Sequence, residues 1–446
     1  DRAGLIARAS RASLMRMIRT RVVFILTLAA ASAARGQGGA PAAPRAVPIL
    51  VRDVTLIDGT GAPPRAHMDM LIDRGRIAAI APAAAGPAAD SVIDGRGLYA
   101  IPGLIDAHVH LGTDPWAQRA ADLERALQGG VTSVFDLAGD ARATGDLQRA
   151  VLAGQLAGPH VYYVALFGGP RFFTDPRTVD ASRGFAPGAA PWMQAVTDTT
   201  DVRQAIAVAR GTGATGIKLY AALDSLEDAR LTAEAHRQGL RVIAHATTFP
   251  GRPGDLVAAG ADMLAHAPYL VWQGSPRSDD YQGRARGDFA HVAADSPAIT
   301  GLLRAMAARG VALNPTLWIF ANELPRDSVS RLRTPWMYAV TREAQRLGVR
   351  IVAGTDEMIA PERDSLPILH DELEVLVRGA GLTPLQAITA GTANAAWAIG
   401  VDSLRGTLAV GKAADLVLLG GDPAADIRNT RAIRLVMQDG RVVRPR

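Results

Sequence analysis

Eight short apolar runs recur along the middle of this 446-residue chain, and helical patterns separate many of them. The runs cover residues 104–110, 131–137, 160–166, 216–220, 241–246, 262–267, 311–317 and 350–356. Intervening segments such as DVRQAIAVARGTG and ITGLLRAMAARG have the spacing of amphipathic helices, and most of them end in glycine, as helices often do. Eight strands that alternate with helices form a closed parallel barrel. The sequence therefore predicts an α/β fold, a (β/α)₈ TIM barrel.

Both ends of the chain carry shorter apolar runs that turn residues separate. Residues 48–100 and 400–446 are typical of strands and hairpins, and Asp439-Gly440 is a pair that favours a tight turn. We therefore expect a small β-sandwich domain formed by both chain ends, with the barrel over residues 101–399.

The first residues have the pattern of an export signal. Arg16, Arg19 and Arg21 precede an apolar run over residues 22–34, the order found in secretory signal peptides. The run is shorter than the roughly 20 residues that span a bilayer, although an uncleaved anchor is an alternative. We expect a leader and signal peptide over residues 1–36, a linker over 37–47, and a periplasmic or secreted protein without a stable membrane span after signal removal.

Charge and cysteine content exclude several functions. The formal net charge is +5, but residues 1–36 contain seven arginines and one acidic residue, so the remaining chain carries a net charge of about −1. No nucleic-acid partner is expected for such a chain. With no cysteine in the sequence, disulfides, thiol nucleophiles and cysteine-bound metals are excluded. Any metal must be held by nitrogen and oxygen ligands.

Polar residues that could bind a metal stand at the carboxyl ends of the predicted strands, where barrel enzymes place their active sites. They are His108 and His110 on the first strand, Lys218 on the fourth, His245 on the fifth, His266 on the sixth and Asp356 on the eighth. His108 and His110 project from the same side of their strand because side chains alternate along it. Imidazole and carboxylate groups are suitable ligands for Zn²⁺ and related ions. We expect the other five histidines to be structural or solvent-facing.

Lys218 is one of only two lysines, the other being Lys412. A protonated amine beside divalent metals would be repelled, whereas burial and nearby cations favour the neutral amine. That amine can react with CO₂ to give an anionic carbamate able to bridge two metal ions. A substrate-binding or surface lysine is the alternative.

Three motifs resemble those of a known family. Residues 102–110 (PGLIDAHVH) look like the opening motif of the amidohydrolase superfamily, and Gly354-Thr355-Asp356 is similar to its closing strand. Residues 406–416 (GTLAVGKAADL) resemble a third motif of the same group. The position of Lys218 and the spacing of His245 and His266 resemble the imidazolonepropionase-like branch, which includes Xaa-Pro dipeptidases with a carboxylated lysine.

The resemblance implies a binuclear hydrolase. One ion would be held by His108, His110 and Asp356, a second by His245 and His266, with carboxylated Lys218 bridging two divalent ions, expected to be Zn²⁺. A hydroxide between the ions would attack the scissile carbonyl, and Asp356 would be the catalytic acid and base.

The implied substrate is a small amide, either a dipeptide or an N-acyl amino acid. A cyclic amide, a lactone or an organophosphate is the alternative for the same site, and a binding barrel without enzyme activity is a third. Tyr220, which follows Lys218 at i+2, and Tyr269 and Arg171 in two long loops over 268–298 and 168–198 are candidate substrate contacts. A homo-oligomer is also one expectation.

Overall fold

The computed structural model describes residues 47–83, 89–111, 115–276, 281–322, 328–359 and 366–443. The expected leader and all but the last residue of the expected linker lie outside these residues.

Both chain ends contribute strands to one sheet. Its strands are β1 (Ile49–Leu56), β2 (Arg65–Asp73), β3 (Arg76–Pro82), β4 (Ser91–Asp94), β5 (Tyr99–Pro102), β15 (Leu416–Leu419), β16 (Ile433–Gln438) and β17 (Arg441–Val443). They are ordered β17-β16-β15-β5-β1-β2-β3, and β4 pairs with β1. Buried side chains from both ends, including Val54, Met70 and Leu416, share one core. The predicted turn joins β16 to β17, where Asp439 and Gly440 both have a positive φ.

Seven parallel strands form most of a barrel. They are β6 (Leu104–Val109), β7 (Val131–Asp136), β8 (His160–Gly168), β11 (Gly216–Leu219), β12 (Arg241–His245), β13 (Met263–Ala265) and β14 (Ala312–Asn314). Each pairs in parallel with the next one in this order. Their side chains are almost all buried, which is why the strands read as continuous apolar runs rather than as alternating patterns.

The eighth predicted run closes the barrel through backbone hydrogen bonds rather than through a regular strand. Leu313 N donates to Arg350 O at 2.9 Å on one side. On the other side, Ala107 N donates to Ala353 O at 3.1 Å, and Asp356 N donates to the carbonyl oxygen of His108 at 2.8 Å. We call this connection between residues 353–356 and β6 the closing seam. The predicted TIM barrel is confirmed.

Helices surround the barrel. The described helices are α1 (Trp116–Gln128), α2 (Ala141–Leu152), α3 (Pro176–Ala181), α4 (Val202–Gly211), α5 (Ser225–Arg237), α6 (Pro253–Ala259), α7 (Pro297–Arg309), α8 (Leu317–Asn322), α9 (Ser328–Arg346), α10 (Leu369–Arg378), α11 (Pro384–Ala390) and α12 (Ala393–Ile399). Gly260 and Gly310 end α6 and α7 in the left-handed conformation, as the glycine pattern predicts. No helix among the described residues has the length and apolar character needed to cross a membrane.

The two long loops contain local structure of their own. The first holds a 3₁₀ turn over Pro170–Thr174, α3 and the hairpin of β9 (Ala189–Ala190) and β10 (Met193–Ala195). The second holds 3₁₀ turns over Ala267–Gln273 and Tyr281–Arg286.

Candidate metal centre

The polar side chains at the carboxyl ends of the strands converge at one end of the barrel. They are His108 on β6, His110 just after it, Lys218 on β11, His245 at the end of β12, His266 just after β13 and Asp356 in the closing seam. The ring centroids of His108 and His266 are 5.0 Å apart, as are those of His245 and His266. Oδ1 of Asp356 lies 3.0 Å from Nε2 of both His108 and His110. These rings and the carboxylate therefore form one compact cluster.

Hydrogen bonds at Nδ1 set the orientation of all four imidazoles. Their partners are Asn314 Oδ1 for His108 (2.7 Å), Ala138 O for His110 (3.1 Å), Thr247 O for His245 (3.0 Å) and Thr316 Oγ1 for His266 (3.0 Å). An Nδ1–H that donates to such an oxygen leaves the lone pair on Nε2, the arrangement of a metal-ligating histidine. The cluster therefore presents Nε2 atoms as donors.

Asn314 and Thr316 are functional residues that the sequence reasoning missed. Their signal was present, because two polar residues at i and i+2 within the seventh apolar run have the same spacing as His108 and His110. Asn314 is itself held, since its Nδ2 donates to Val352 O at 2.9 Å. The hydroxyl of Thr316 donates to Pro315 O at 2.9 Å, so its oxygen is left to accept from His266.

Burial favours the neutral form of three of these imidazoles. Burial, with the positive charge of Lys218, lowers the pKa of His108 to about 4. Burial also holds the pKa values of His245 and His266 well below the usual range. For His110, burial would lower the pKa, but the hydrogen bond and charge of Asp356 raise it. Neutral imidazoles are the form that binds metals.

Asp356 is an anion in this cluster. Burial would raise its pKa, but any proton carried by His108, His266 or His110 favours the carboxylate over the neutral acid and holds the pKa of Asp356 well below the usual range. A carboxylate among neutral imidazoles is a suitable set of ligands for a first-row divalent metal.

Lys218 is fully buried, and its Nζ has no hydrogen-bond partner among the described residues. Burial lowers the pKa of Lys218 to about 7, against the opposing charge of Asp356. An amine that is buried without a partner is costly unless another group satisfies it. Together with the neutral imidazoles and Asp356, this orphaned amine fits a metal centre in which the lysine carries an added anionic group.

Hydrogen bonds of Asp106 connect the two sequence motifs at the closing seam, residues 102–110 and 354–356. Asp106 accepts hydrogen bonds from the backbone N of His108 at 3.2 Å and of Thr355 at 3.1 Å, and from Thr355 Oγ1 at 2.8 Å. Burial raises the pKa of Asp106 to about 7. Asp106 thus links β6 to the eighth segment and fixes two candidate ligands, His108 and Asp356, relative to each other.

Backbone strain accompanies the cluster. His266 and Asp356 adopt the left-handed conformation, with φ of 74° and 65°. Non-glycine residues in this region cost about 1–3 kcal/mol and persist where the surrounding structure holds them, often at functional sites. Both residues are candidate ligands, and their side chains point into the cluster from this strained backbone conformation.

The cluster opens into a cavity of 1120 Å³. The side chains of His110 and Asp356 are 35% and 24% exposed, whereas that of His108 is buried. Other residues that line the cavity include Gln118, Arg119, Asp122, Arg125, Leu166, Phe172, Arg177, Met193, Tyr220, Ile319, Glu357, Met358 and Ile359. A small molecule in this cavity would reach His110 and Asp356.

The three candidate substrate contacts occupy different environments in the structure. Tyr220 lines the cavity and stacks on Phe172, with ring centroids 4.6 Å apart. Tyr269 is buried and stacks on His245, also at 4.6 Å. Arg171 is exposed on its 3₁₀ turn and is not among the residues that line the cavity, whereas Arg177 in α3 is.

The other five histidines bond elsewhere. Their partners are Asp53 for His67, Asp439 for His160, Asp262 for His236, Asp288 for His291, and Thr430 and Gly129 for His370. His160 lies close to Asp415 and Asp439, but Arg405 forms ion pairs with both carboxylates. That group is therefore a charge network rather than a second metal centre.

The sequence of this chain matches the model of a known protein family. The model of the amidohydrolase family matches residues 99–443. Ochratoxinase of Aspergillus niger is 28% identical over 394 residues, which cover 77% of this chain and 75% of that protein. A D-hydantoinase of Streptomyces coelicolor is 41% identical over 81 residues, a stretch that covers 16% of this chain and 17% of the relative.

Solved structures agree with this fold. A candidate prolidase from Bifidobacterium longum superposes with a TM-score of 0.67 at 28% identity and covers 90% of this chain and 95% of its own. An Xaa-Pro dipeptidase with bound methionine in the active site has a TM-score of 0.69 at 21% identity and covers 89% of this chain and 100% of its own. At that identity the second likeness shows the fold alone.

Proposed function

This chain belongs to the amidohydrolase family, and we propose that it is an exported hydrolase that uses two divalent metal ions to cleave the amide bond of a dipeptide or an N-acyl amino acid. His108, His110 and Asp356 would hold one ion, and His245 and His266 the second. Lys218, as a carbamate, would bridge them. The observation that carries the proposal is the convergence of four imidazoles, each bonded at Nδ1, on a carboxylate and an unpartnered buried amine.

Divalent ions in such a site lower the pKa of water from about 15.7 towards 7 and polarise a carbonyl group. The protein's own contribution is proton transfer and orientation. Asp356 would accept the proton of the attacking water at its carboxylate and pass it to the nitrogen of the leaving amine, which cannot leave as an anion. Its exposed edge in the cavity gives that carboxylate access to the substrate.

The relatives support an amide substrate. Ochratoxinase and a candidate prolidase are among the proteins that this chain resembles over most of its length, each at 28% identity. Tyr220 lines the cavity and contacts His245, with ring centroids 5.1 Å apart, so it would contact a substrate held beside the ions.

The test is metal analysis followed by a substrate panel. The purified chain should contain divalent metal, or gain activity with Zn²⁺ or Mn²⁺ and bicarbonate, and should cleave dipeptides or N-acyl amino acids. A chain that neither holds metal nor gains activity would overturn the proposal. Turnover confined to cyclic amides, lactones or a phosphotriester would replace the substrate class and keep the metal site.

The export proposal rests on the basic and apolar pattern over residues 16–34. Expression of the full chain followed by cell fractionation should place the protein in the periplasm or the medium, with a shortened N-terminus on sequencing. Full-length protein that stays in the cytoplasm would contradict it.

A further inference from the structure

Three arginines line the cavity beside the metal centre, and two of them are neutralised by carboxylates. Arg177 donates from Nε and Nη2 to Asp175, at 3.0 and 2.8 Å. Arg125 forms an ion pair with Asp122. The positive charges of these two side chains are therefore compensated within the protein.

Arg119, the third arginine, forms no ion pair within the part of the chain that the structure describes. Its Nε and Nη1 are shielded from solvent and form no hydrogen bond with any described residue. The nearest acid along α1 is Asp122, at i+3, but Gln118 Nε2 donates to both of its oxygens, at 3.0 and 3.1 Å, and Arg125 also binds it. The helix thus directs its own carboxylate away from Arg119.

The other described carboxylates that line the cavity do not pair with Arg119 either. Asp356 is bonded to His108 and His110, and Asp180 lies 3.7 Å from Arg183. Within the described residues, Glu357 forms no ion pair with Arg119. An uncompensated, half-buried guanidinium in a cavity attracts an anion more strongly than an exposed one, because less water screens its charge.

The rest of the cavity has a large apolar lining. Its apolar lining consists of Leu166, Phe172, Met193, Ile319, Met358 and Ile359. A ligand that fills the cavity therefore needs a bulky apolar part as well as an anionic group.

We propose that Arg119 binds the carboxylate of the substrate, and that the preferred substrates are amides of amino acids with a large apolar side chain and a free carboxylate. This inference rests on the proposed amide hydrolysis and specifies the substrate class. A guanidinium suits the task because it donates several hydrogen bonds to a carboxylate and keeps its charge at any physiological pH.

The first test compares two amides that differ by the carboxylate, N-acetyl-phenylalanine and N-acetyl-2-phenylethylamine. The wild-type holoenzyme should prefer the acid. Arg119→Met should lower kcat/KM for the acid by about tenfold to a hundredfold, mainly through KM, and so reduce the preference. Arg119→Lys should restore part of it. Arg149→Met is the control and should leave the preference unchanged, because Arg149 is paired with Asp146 on the exposed face of α2.

The second test measures binding without turnover. Calorimetry with 4-phenylbutanoate and 4-phenylbutanol should show that Arg119→Met weakens binding of the acid by the same factor and leaves the alcohol within about twofold. Binding of the acid directly to the ions is common to both proteins and cancels in the comparison.

The outcomes separate the two proposals. Cleavage of both amides with equal efficiency by the wild type, or a preference that Arg119→Met retains, would refute the role of Arg119 and keep the hydrolase. Equal loss of acid and alcohol binding would also refute it, because that is the result of a collapsed cavity. Arg119-dependent binding of the acid without cleavage of any amide would support the anion site and refute the proposed amide hydrolysis.

Discussion

Gly354 passes His108 so closely that a Cβ on Gly354 would lie 2.7 Å from both Cβ and the backbone N of His108. The same Cβ would lie 2.8 Å from Nδ2 of Asn314, the residue that orients His108. Contacts this short force the neighbours to move, and here one neighbour is a backbone atom. Packing against His108, a candidate ligand, thus requires the glycine of the Gly-Thr-Asp motif.

Gly354→Ala should therefore disturb the metal centre. We expect a loss of about 1–3 kcal/mol in the free energy of unfolding from overpacking, together with reduced metal content. Urea denaturation and metal analysis of the purified variant would measure both. Gly301→Ala is a suitable control, because a Cβ there meets no atom within 4 Å. Full metal content in Gly354→Ala would contradict this account.

Lys218→Ala should remove the bridge between the ions. We expect loss of one of the two ions and of most activity, while Lys412→Ala should keep both. Lys412 is the only other lysine, and its Nζ donates to the backbone oxygen of Asp402 at 2.6 Å, away from the cluster. In protein prepared with ¹³C-bicarbonate, NMR should detect a carbamate carbon in the Lys412 variant and none in the Lys218 variant. A carbamate signal that survives Lys218→Ala would disprove the assignment.

Asn314→Ala should weaken metal binding without unfolding the protein. It removes the hydrogen bond that orients His108, and such losses typically cost about 10–100-fold in metal affinity. Competition with a chelator would measure the affinity. Asn394→Ala provides the comparison, since Asn394 Nδ2 donates to the backbone oxygen of Ile351 at 2.8 Å and not to a histidine. Equal affinities in the two variants would argue against orientation by Asn314.

Asp228 should make stability depend on pH. Burial raises its pKa from 3.8 to about 8, and its Oδ1 has no partner among the described residues. The folded protein holds this proton where the unfolded chain has lost it, so the free energy of unfolding falls as pH rises from about 4 to about 8. Asp228→Asn lacks this titration. The variant should therefore gain stability relative to wild type across that range, and urea denaturation at pH 5, 6.5 and 8 would detect it. Parallel pH curves for the two proteins would exclude the effect.

Chelation should lower the melting temperature of the wild type. An ion that binds only the folded state stabilises it by about 2.7 kcal/mol at a free concentration one hundred times its Kd. His266→Ala, which lacks one ligand, should show a smaller shift in calorimetry with and without chelator. The prediction fails if chelator leaves the wild-type melting temperature unchanged.

The sequence was sufficient for the fold because nearly every barrel strand is buried on both sides, and buried strands read as apolar runs of recognisable length. The eighth run was recognised in the same way, although the chain there forms separate hydrogen bonds instead of a regular ladder. His108, His110 and Asp356 were identifiable because they stand at strand ends. Sequence alone does not reveal charge compensation, because it depends on side-chain geometry. The position of an arginine in a long loop is equally uninformative: Arg171 lies outside the cavity, whereas Arg119, Arg125 and Arg177 line it.

The closing seam couples the candidate metal centre to the closure of the barrel. His108 and Asp356 are candidate ligands of one ion, and they are also joined by the backbone hydrogen bond that completes the ring of strands. A chain that has not yet brought its first and eighth strands together has no complete ligand set. Metal uptake during refolding would therefore report the pairing of these two segments, and the bound ion would slow the reopening of the ring at this point. Amide hydrogen exchange at Asp356 should then be far slower with metal than without it.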